Sequence, residues 1–249
     1  MTARYPSLRG QAVFVTGGAS GIGACLVESF VTQGAHVAFV DIDLDAAAAL
    51  VERLDHAPLF LPCDIREVDT LQRAVAAAGE QLGDIAVLLN NAASDDRHSW
   101  STVTPEYWDD RMAINLRPHF FAAQAAIPQM RRRGGGSIVN FGSISWKVGL
   151  GGLAAYTTAK AAIHGLTRSL ARDLGPDNIR VNTILPGAIE TERQRRLWTA
   201  PEADAQILAA QSLKFRLQPH HVASMALFLA AEDSAGCTAQ EFTVDGGWI

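Results

Sequence analysis

The sequence predicts an α/β fold of doubly wound type, a parallel sheet covered by helices on both faces in three layers. Two observations carry this. Short apolar runs alternate with longer helical patterns along the whole chain. A glycine-rich turn, Thr16-Gly17-Gly18-Ala19-Ser20-Gly21-Ile22-Gly23, stands directly between the first apolar run and the first helical pattern. No internal repeat, low-complexity tract or long linker interrupts the alternation, so residues 1–249 read as a single domain.

Taken in order, residues 12–15 (Ala-Val-Phe-Val) form a strand, and a helix follows the glycine turn as far as Gln33, where Gly34 ends it. Residues 35–40 are a second strand, and the alanine-rich stretch 44–54 is helical. A short strand at 59–61 precedes a helix at 68–82. Residues 85–89 are a strand, and 105–133 read as one long helical region. Arg131, Arg132 and Arg133 sit at its end, where cations complement the helix dipole, and Gly134 turns the chain. Residues 138–141 are a buried strand and 153–174 a helix stopped by Gly175-Pro176. A strand at 179–185, a helix at 219–231 and a last strand at 241–244 complete the pattern, and crossovers between parallel strands should be right-handed.

Composition excludes several function classes. The net charge of −5 argues against nucleic acid. Cys25, Cys63 and Cys237 are sparse, odd in number and without C-x-x-C spacing, which argues for a reducing compartment and against a disulfide framework or zinc site. His119, His164, His220 and His221 share no ligand spacing with acids or cysteines, so no metal is expected. No uncharged apolar run reaches the ~18 residues of a membrane span. The start, Met1-Thr2-Ala3-Arg4-Tyr5-Pro6, lacks the apolar core of a secretory signal, so a cytoplasmic location is expected.

The chemistry concentrates in residues 143–160. Tyr156 and Lys160 are four apart and share one helix face, and Ser143 follows the strand that ends at Gly142. A free tyrosine titrates near ~10. A lysine cation within roughly 4–6 Å favours the phenolate and should lower that value by about 1–3 units. Tyr156 would then exchange a proton with an alcohol or carbonyl oxygen held by Ser143. The plain alternative, an ordinary helical pair, is common for Tyr-x-x-x-Lys alone, so the rest of the chain supplies the context.

That context includes the glycine turn, where Gly17, Ser20, Gly21, Ile22 and Gly23 would let a pyrophosphate approach backbone and helix N-terminus. Asp41, ending the second strand, would accept hydrogen bonds from an adenosine ribose and repel a 2′-phosphate, which favours NAD over NADP. Alternatively Asp41 is a solvated strand-end acid or a helix N-cap. Asp64, beside Ile65, could touch the adenine edge or cap the segment that follows.

With these residues assembled, the chain resembles the short-chain dehydrogenase/reductase family over essentially its whole length. The matching motifs are the turn at 16–23, Asp64, Asn90-Asn91-Ala92, Asn115, Ser143, Tyr156 with Lys160, and Pro186-Gly187. The resemblance implies a Rossmann-type sheet of seven strands in the order 3-2-1-4-5-6-7. It implies that Asn91 and Ala92 line the cofactor, and that Asn115 holds a water linking Lys160 to solvent. It also implies that Lys160 bonds the nicotinamide ribose, and that Ile189 and Thr191 contact the carboxamide. Ala93 departs from the family, which usually has glycine there. The family is commonly homotetrameric, with helices 105–133 and 153–174 pairing across a two-fold axis.

Within the family, Asp95-Asp96-Arg97-His98, the run from Asn140 to Trp146 and the run from Glu190 to Gln194 resemble bacterial NAD-dependent aldose 1-dehydrogenases acting on xylose, arabinose, galactose or fucose. That resemblance implies a small sugar substrate contacted by Asp95, Arg97, His98, Ser145, Trp146 and Gln194. The alternative for the Asp95–His98 run is a solvated, ion-paired loop. Rival functions are a dehydrogenase of the same fold acting on another alcohol or ketone, and a non-catalytic NAD sensor. The segment 194–215, with Trp198, Ile207, Leu208 and Leu213, would be either a substrate lid or a helix pair packed on a partner subunit.

Overall fold

The computed structural model describes residues 3–198 and 201–249. Seven strands form one parallel sheet: β1 (Ala12–Thr16), β2 (His36–Asp41), β3 (Leu59–Pro62), β4 (Ile85–Asn90), β5 (Gly136–Phe141), β6 (Ile179–Pro186) and β7 (Glu241–Val244). Their spatial order is β3-β2-β1-β4-β5-β6-β7, as expected. The helices are α1 (Gly21–Thr32), α2 (Leu44–Arg53), α3 (Val68–Leu82), α4 (Pro105–Asn115), α5 (Arg117–Arg133), α6 (Ala154–Leu174), α7 (Glu192–Trp198), α8 (Pro201–Ala210) and α9 (Pro219–Ala230).

Alternation along each strand divides the core in two. Val13 and Val15 of β1 join Leu26, Phe30, Leu50 and Leu227 beneath α1, α2 and α9. Ala12 and Phe14 point the other way, to Leu71, Val75, Ala122, Met130 and Leu170 of α3, α5 and α6. Strands buried on both faces are why the sequence shows continuous apolar runs rather than a period of two. The C-terminus of α5 turns at Gly134 in the left-handed region (φ 81°), and Arg131 and Arg132 pair with Asp177 and Asp84.

The long helical region expected at 105–133 is broken. Leu116 has φ −132° and ψ −56°, outside the helical range, and a new helix begins at Arg117. Pro118 is the reason: it lacks an N–H, disfavours a continuing helix before it, and fits the first turn of a fresh one. The strand order reverses between β1 and β4, opening a crevice above their carboxyl ends, where ligands bind in such sheets.

Candidate active site

The crevice is stitched across the β1/β4 boundary. Thr16, the last residue of β1, accepts on its hydroxyl from the backbone N–H of Asn91 (3.0 Å) and Ala92 (3.1 Å). The Asn91 amide donates back to the carbonyls of Thr16 (3.1 Å) and Gly17 (3.0 Å). The turn this holds is very tight. Gly17 has φ +67°, and a Cβ at Gly23 would lie 1.7 Å from the Gly17 carbonyl oxygen. Only glycine lets the start of α1 pass that close beneath the loop. The first turn of α1 carries no acid, and Ser20 makes no side-chain cap. Its N–H groups and positive dipole end therefore suit a diphosphate.

Asp41 holds the other side of this cradle. Its Oδ2 accepts from Ala19 N–H (2.9 Å), and its Oδ1 from the N–H groups of Ile42 (2.8 Å) and Asp43 (3.1 Å). It is not the helix cap; Asp43 caps α2 through Ala46 N–H. Asp64 caps no helix either. It accepts from Arg66 N–H (2.9 Å) and forms an ion pair with the Arg66 guanidinium at 2.6 Å, which holds the carboxyl below the usual carboxylate range. Ile65 packs against the core beneath α3. These residues could hold a dinucleotide: a diphosphate at α1, adenosine hydroxyls at Asp41, and the base toward Asp64 and Ile65.

At the far end of the crevice, α6 presents Tyr156 and Lys160. Lys160 is buried, donates to the Phe141 carbonyl at 2.7 Å, and lies 5.7 Å from the Tyr156 ring centre. The Ser143 hydroxyl accepts from Ser145 N–H (3.1 Å), which leaves its proton for the Tyr156 phenol, to which it is bonded. The expected lowering of the Tyr156 pKa is not what this geometry gives. Burial pushes the phenol up to about 12, the Asp95 carboxylate adds to the rise, and only the Ser143 bond opposes it. Burial likewise pushes Lys160 down to about 7, with Asp95 resisting. Loss of water around the buried phenol outweighs any help from the neighbouring lysine. The sign sets a pH prediction. A base whose conjugate acid titrates this high is scarce at neutral pH, so the rate of alcohol oxidation should climb steadily from neutral to alkaline pH, while carbonyl reduction, which needs the phenol, should not. A flat oxidation profile over that range would contradict the assignment.

Two devices fix α6. A buried chain of side chains runs from Asn90 through Asn140 (2.9 Å) to Thr167 (2.9 Å) and Thr183 (2.7 Å), tying β4, β5, α6 and β6 together. At the helix start no side chain of α6 itself serves as cap; His98 accepts from Ala155 N–H at 3.2 Å on Nε2 and meets the Tyr107 hydroxyl at 3.0 Å on Nδ1. Asn115 is buried and commits its side chain to the backbone of Ser94 and Arg111.

A cavity of about 190 Å³ lies at the Tyr156 end of the crevice and reaches Ile22 at the start of α1. Of the expected residues, Ile22, Asn91, Asp95, Ser143, Tyr156, Lys160, Pro186, Gly187, Ile189, Thr191 and Gln194 line it. Ala93 lines it as well and is unstrained: among the described residues only Asn178 and Ala239 are non-glycines with positive φ. Arg97, His98, Ser145 and Trp146 are not in its lining. Arg97 is exposed on the loop, Ser145 is buried, and Trp146 stacks toward His164 and Lys147. Arg193, which sequence reasoning did not single out, does line the cavity. A larger cavity of about 640 Å³, between α9 and β7, is mostly apolar and shares no wall with Tyr156. Among the described residues no cluster could hold a metal, and no helix is long and apolar enough to cross a membrane.

Comparison with known proteins decides the family. The family model described as "Enoyl-(Acyl carrier protein) reductase" matches residues 17–249. The chain is 48% identical to D-xylose 1-dehydrogenase of Caulobacter vibrioides over 250 residues, covering 99% of each chain. It is a short-chain dehydrogenase/reductase. A second relative, "Probable galactose dehydrogenase GalD" of Rhizobium meliloti, is 50% identical and covers 99% of this chain and 98% of that one. Among solved structures, 7α-hydroxysteroid dehydrogenase complexed with NADH and 7-oxo glycochenodeoxycholic acid superposes with a TM-score of 0.92 at 31% identity, over 97% of this chain and 96% of that one. As a member of this family the chain is an oxidoreductase that works with a nicotinamide cofactor on a small molecule.

Proposed function

We propose that this short-chain dehydrogenase/reductase is an NAD-dependent aldose 1-dehydrogenase. It would oxidise the anomeric carbon of a small sugar, a pentose such as D-xylose or L-arabinose being favoured, to an aldonolactone. The observation that carries this reading is the 190 Å³ cavity in which Ser143, Tyr156 and Lys160 share walls with the polar side chains of Asp95, Arg193 and Gln194. A site that distinguishes sugars must hydrogen-bond hydroxyls, and a polar wall beside the proton-transfer group is what that requires. The sugar dehydrogenases at 48% and 50% identity support the same substrate class.

The residues divide the work. Ser143 holds the substrate oxygen, and Tyr156 as phenolate takes the proton of the anomeric hydroxyl. Lys160, anchored on the Phe141 carbonyl, orients the nicotinamide ribose, and it carries a positive charge near the phenol only below about pH 7. Asn91, Ala92, Pro186, Gly187, Ile189 and Thr191 shape the nicotinamide end, and a water held at Asn115 would relay protons to solvent through its main chain, since the side chain is committed. When bound, NAD supplies the hydride acceptor. Positioning and electrostatics then carry the acceleration without a covalent intermediate. NAD is favoured over NADP because the Asp41 carboxylate, fixed by three backbone N–H groups at the end of β2, would repel a 2′-phosphate. The chain would act as one catalytic unit, in the cytoplasm and as a homotetramer; exposed Trp108 and Phe120 on α4 and α5 suit helix pairing between subunits.

The test is a panel of xylose, arabinose, galactose, fucose and simple ketones, each with NAD and NADP, followed by the absorbance of the reduced nucleotide. Turnover of at least one aldose with NAD, and much weaker turnover with NADP, is expected. Inactivity on every sugar would end the substrate assignment.

A further inference from the structure

Two charged side chains, Asp95 and Arg193, line the cavity beside Tyr156 and come from segments 98 positions apart in the chain. Arg193, at the start of α7, donates from Nη2 to Asp96 Oδ1 (2.7 Å) and from Nε to Asp95 Oδ1 (3.3 Å). Asp96 is shared further: its Oδ2 takes Arg111 (2.7 Å) and the Ser94 hydroxyl (2.8 Å). Arg111 in turn pairs with Asp110, which pairs with Arg66 at 3.0 Å, which pairs with Asp64. A ladder of alternating charge thus runs from the adenosine end of the crevice to the substrate end and finishes on Asp95. Among the described hydrogen bonds Asp95 uses Oδ1 alone. Its second oxygen has no partner among them, and the field of the carboxylate reaches both Tyr156 and Lys160.

We propose that the Asp95–Arg193 pair is a charge filter that admits neutral polyhydroxy substrates and rejects anionic ones such as uronates and sugar phosphates. The inference rests on the sugar reading above and adds to it the role of Arg193. An unpaired arginine in such a cavity would capture a carboxylate or phosphate through its planar fork. Here two carboxylates occupy that fork. The remaining oxygen of Asp95 accepts from a sugar hydroxyl and repels a carboxylate placed there. Asp95 therefore contributes twice, by bonding the right substrate and by masking the cation that would bind the wrong one.

The filter is tested with Asp95→Asn, Arg193→Met and the double variant. The ligands are a neutral aldose and galacturonate, a galactose whose carbon 6 is a carboxylate. Calorimetric titration of the NADH-loaded chain with galacturonate needs no turnover. Asp95→Asn should tighten galacturonate binding by about tenfold or more, because Arg193 loses one masking charge. The double variant should lose most of that gain, since the cation itself is gone and only the relief of Asp95's own repulsion remains. On the neutral aldose, Asp95→Asn should lower kcat/KM by about tenfold, mostly through KM. Its oxidation pH profile should also move to lower pH, because a carboxylate that raises the phenol pKa has been removed. Galacturonate binding unchanged within about twofold in Asp95→Asn, or a gain that survives undiminished in the double variant, would overturn the filter. If the parent chain oxidises no aldose, the sugar reading fails, while the galacturonate titrations still decide the filter.

Discussion

Tyr156→Phe is expected to lose turnover by about 10²–10⁴-fold, the range for a removed general acid–base group, while binding NADH as the parent does. The phenyl ring keeps the wall of the cavity and the start of α6, so the loss reads the hydroxyl alone. Ser143 keeps its bond from Ser145 N–H and loses only its partner across the cavity. Nucleotide fluorescence measures binding, and steady-state kinetics on the best substrate measures turnover. A variant that keeps near-parental kcat would remove Tyr156 from the proton-transfer role and, with it, the mechanism derived above.

Lys160→Met should separate activity from stability. The parent buries an amine that burial pushes from 10.5 down to about 7. In the unfolded chain the same amine stays protonated to far higher pH, so below about pH 7 folding must bury a charge. Between about 7 and 10 the unfolded state holds a proton that the folded state does not, and stability rises with pH. Methionine fills similar volume without the charge. Its orphaned partner, the Phe141 carbonyl, costs about 1–3 kcal/mol, less than the burial of the amine at acidic to neutral pH. The variant should therefore melt several degrees above the parent near pH 6, the gap should close as pH rises toward 10, and turnover should fall by orders of magnitude. A melting point below the parent's at pH 6 would sink the view that this lysine is held at the expense of the fold.

The sheet was legible because its strands are apolar on both faces and glycine or proline marks their ends; β4, for example, falls within one residue of the expected run. The helix break at Leu116 was also written in the chain, in Pro118, but a continuous helical pattern across it masked the signal. The glycine turn was legible because its parts lie within one strand–turn–helix unit, β1 to α1. Of the substrate wall, Asp95 and Gln194 were legible but Arg193 was not, because its partners are distant: it meets Asp96 across 97 positions. Spacing cannot reveal such pairs. Nor could it give the sign of the Tyr156 shift, which depends on a competition between a nearby charge and the loss of water that only packing decides.

The clip between His98 and the first turn of α6 has a consequence for engineering. The segment after β4 invites exchange among sugar-oxidising relatives as a cassette for changing preference, since Asp95 lines the cavity. Yet the same few residues anchor the element that presents the proton carrier, through Ala155. A transplanted cassette lacking an imidazole at that point would alter catalytic competence together with selectivity, and chimaeras built there should be judged on both.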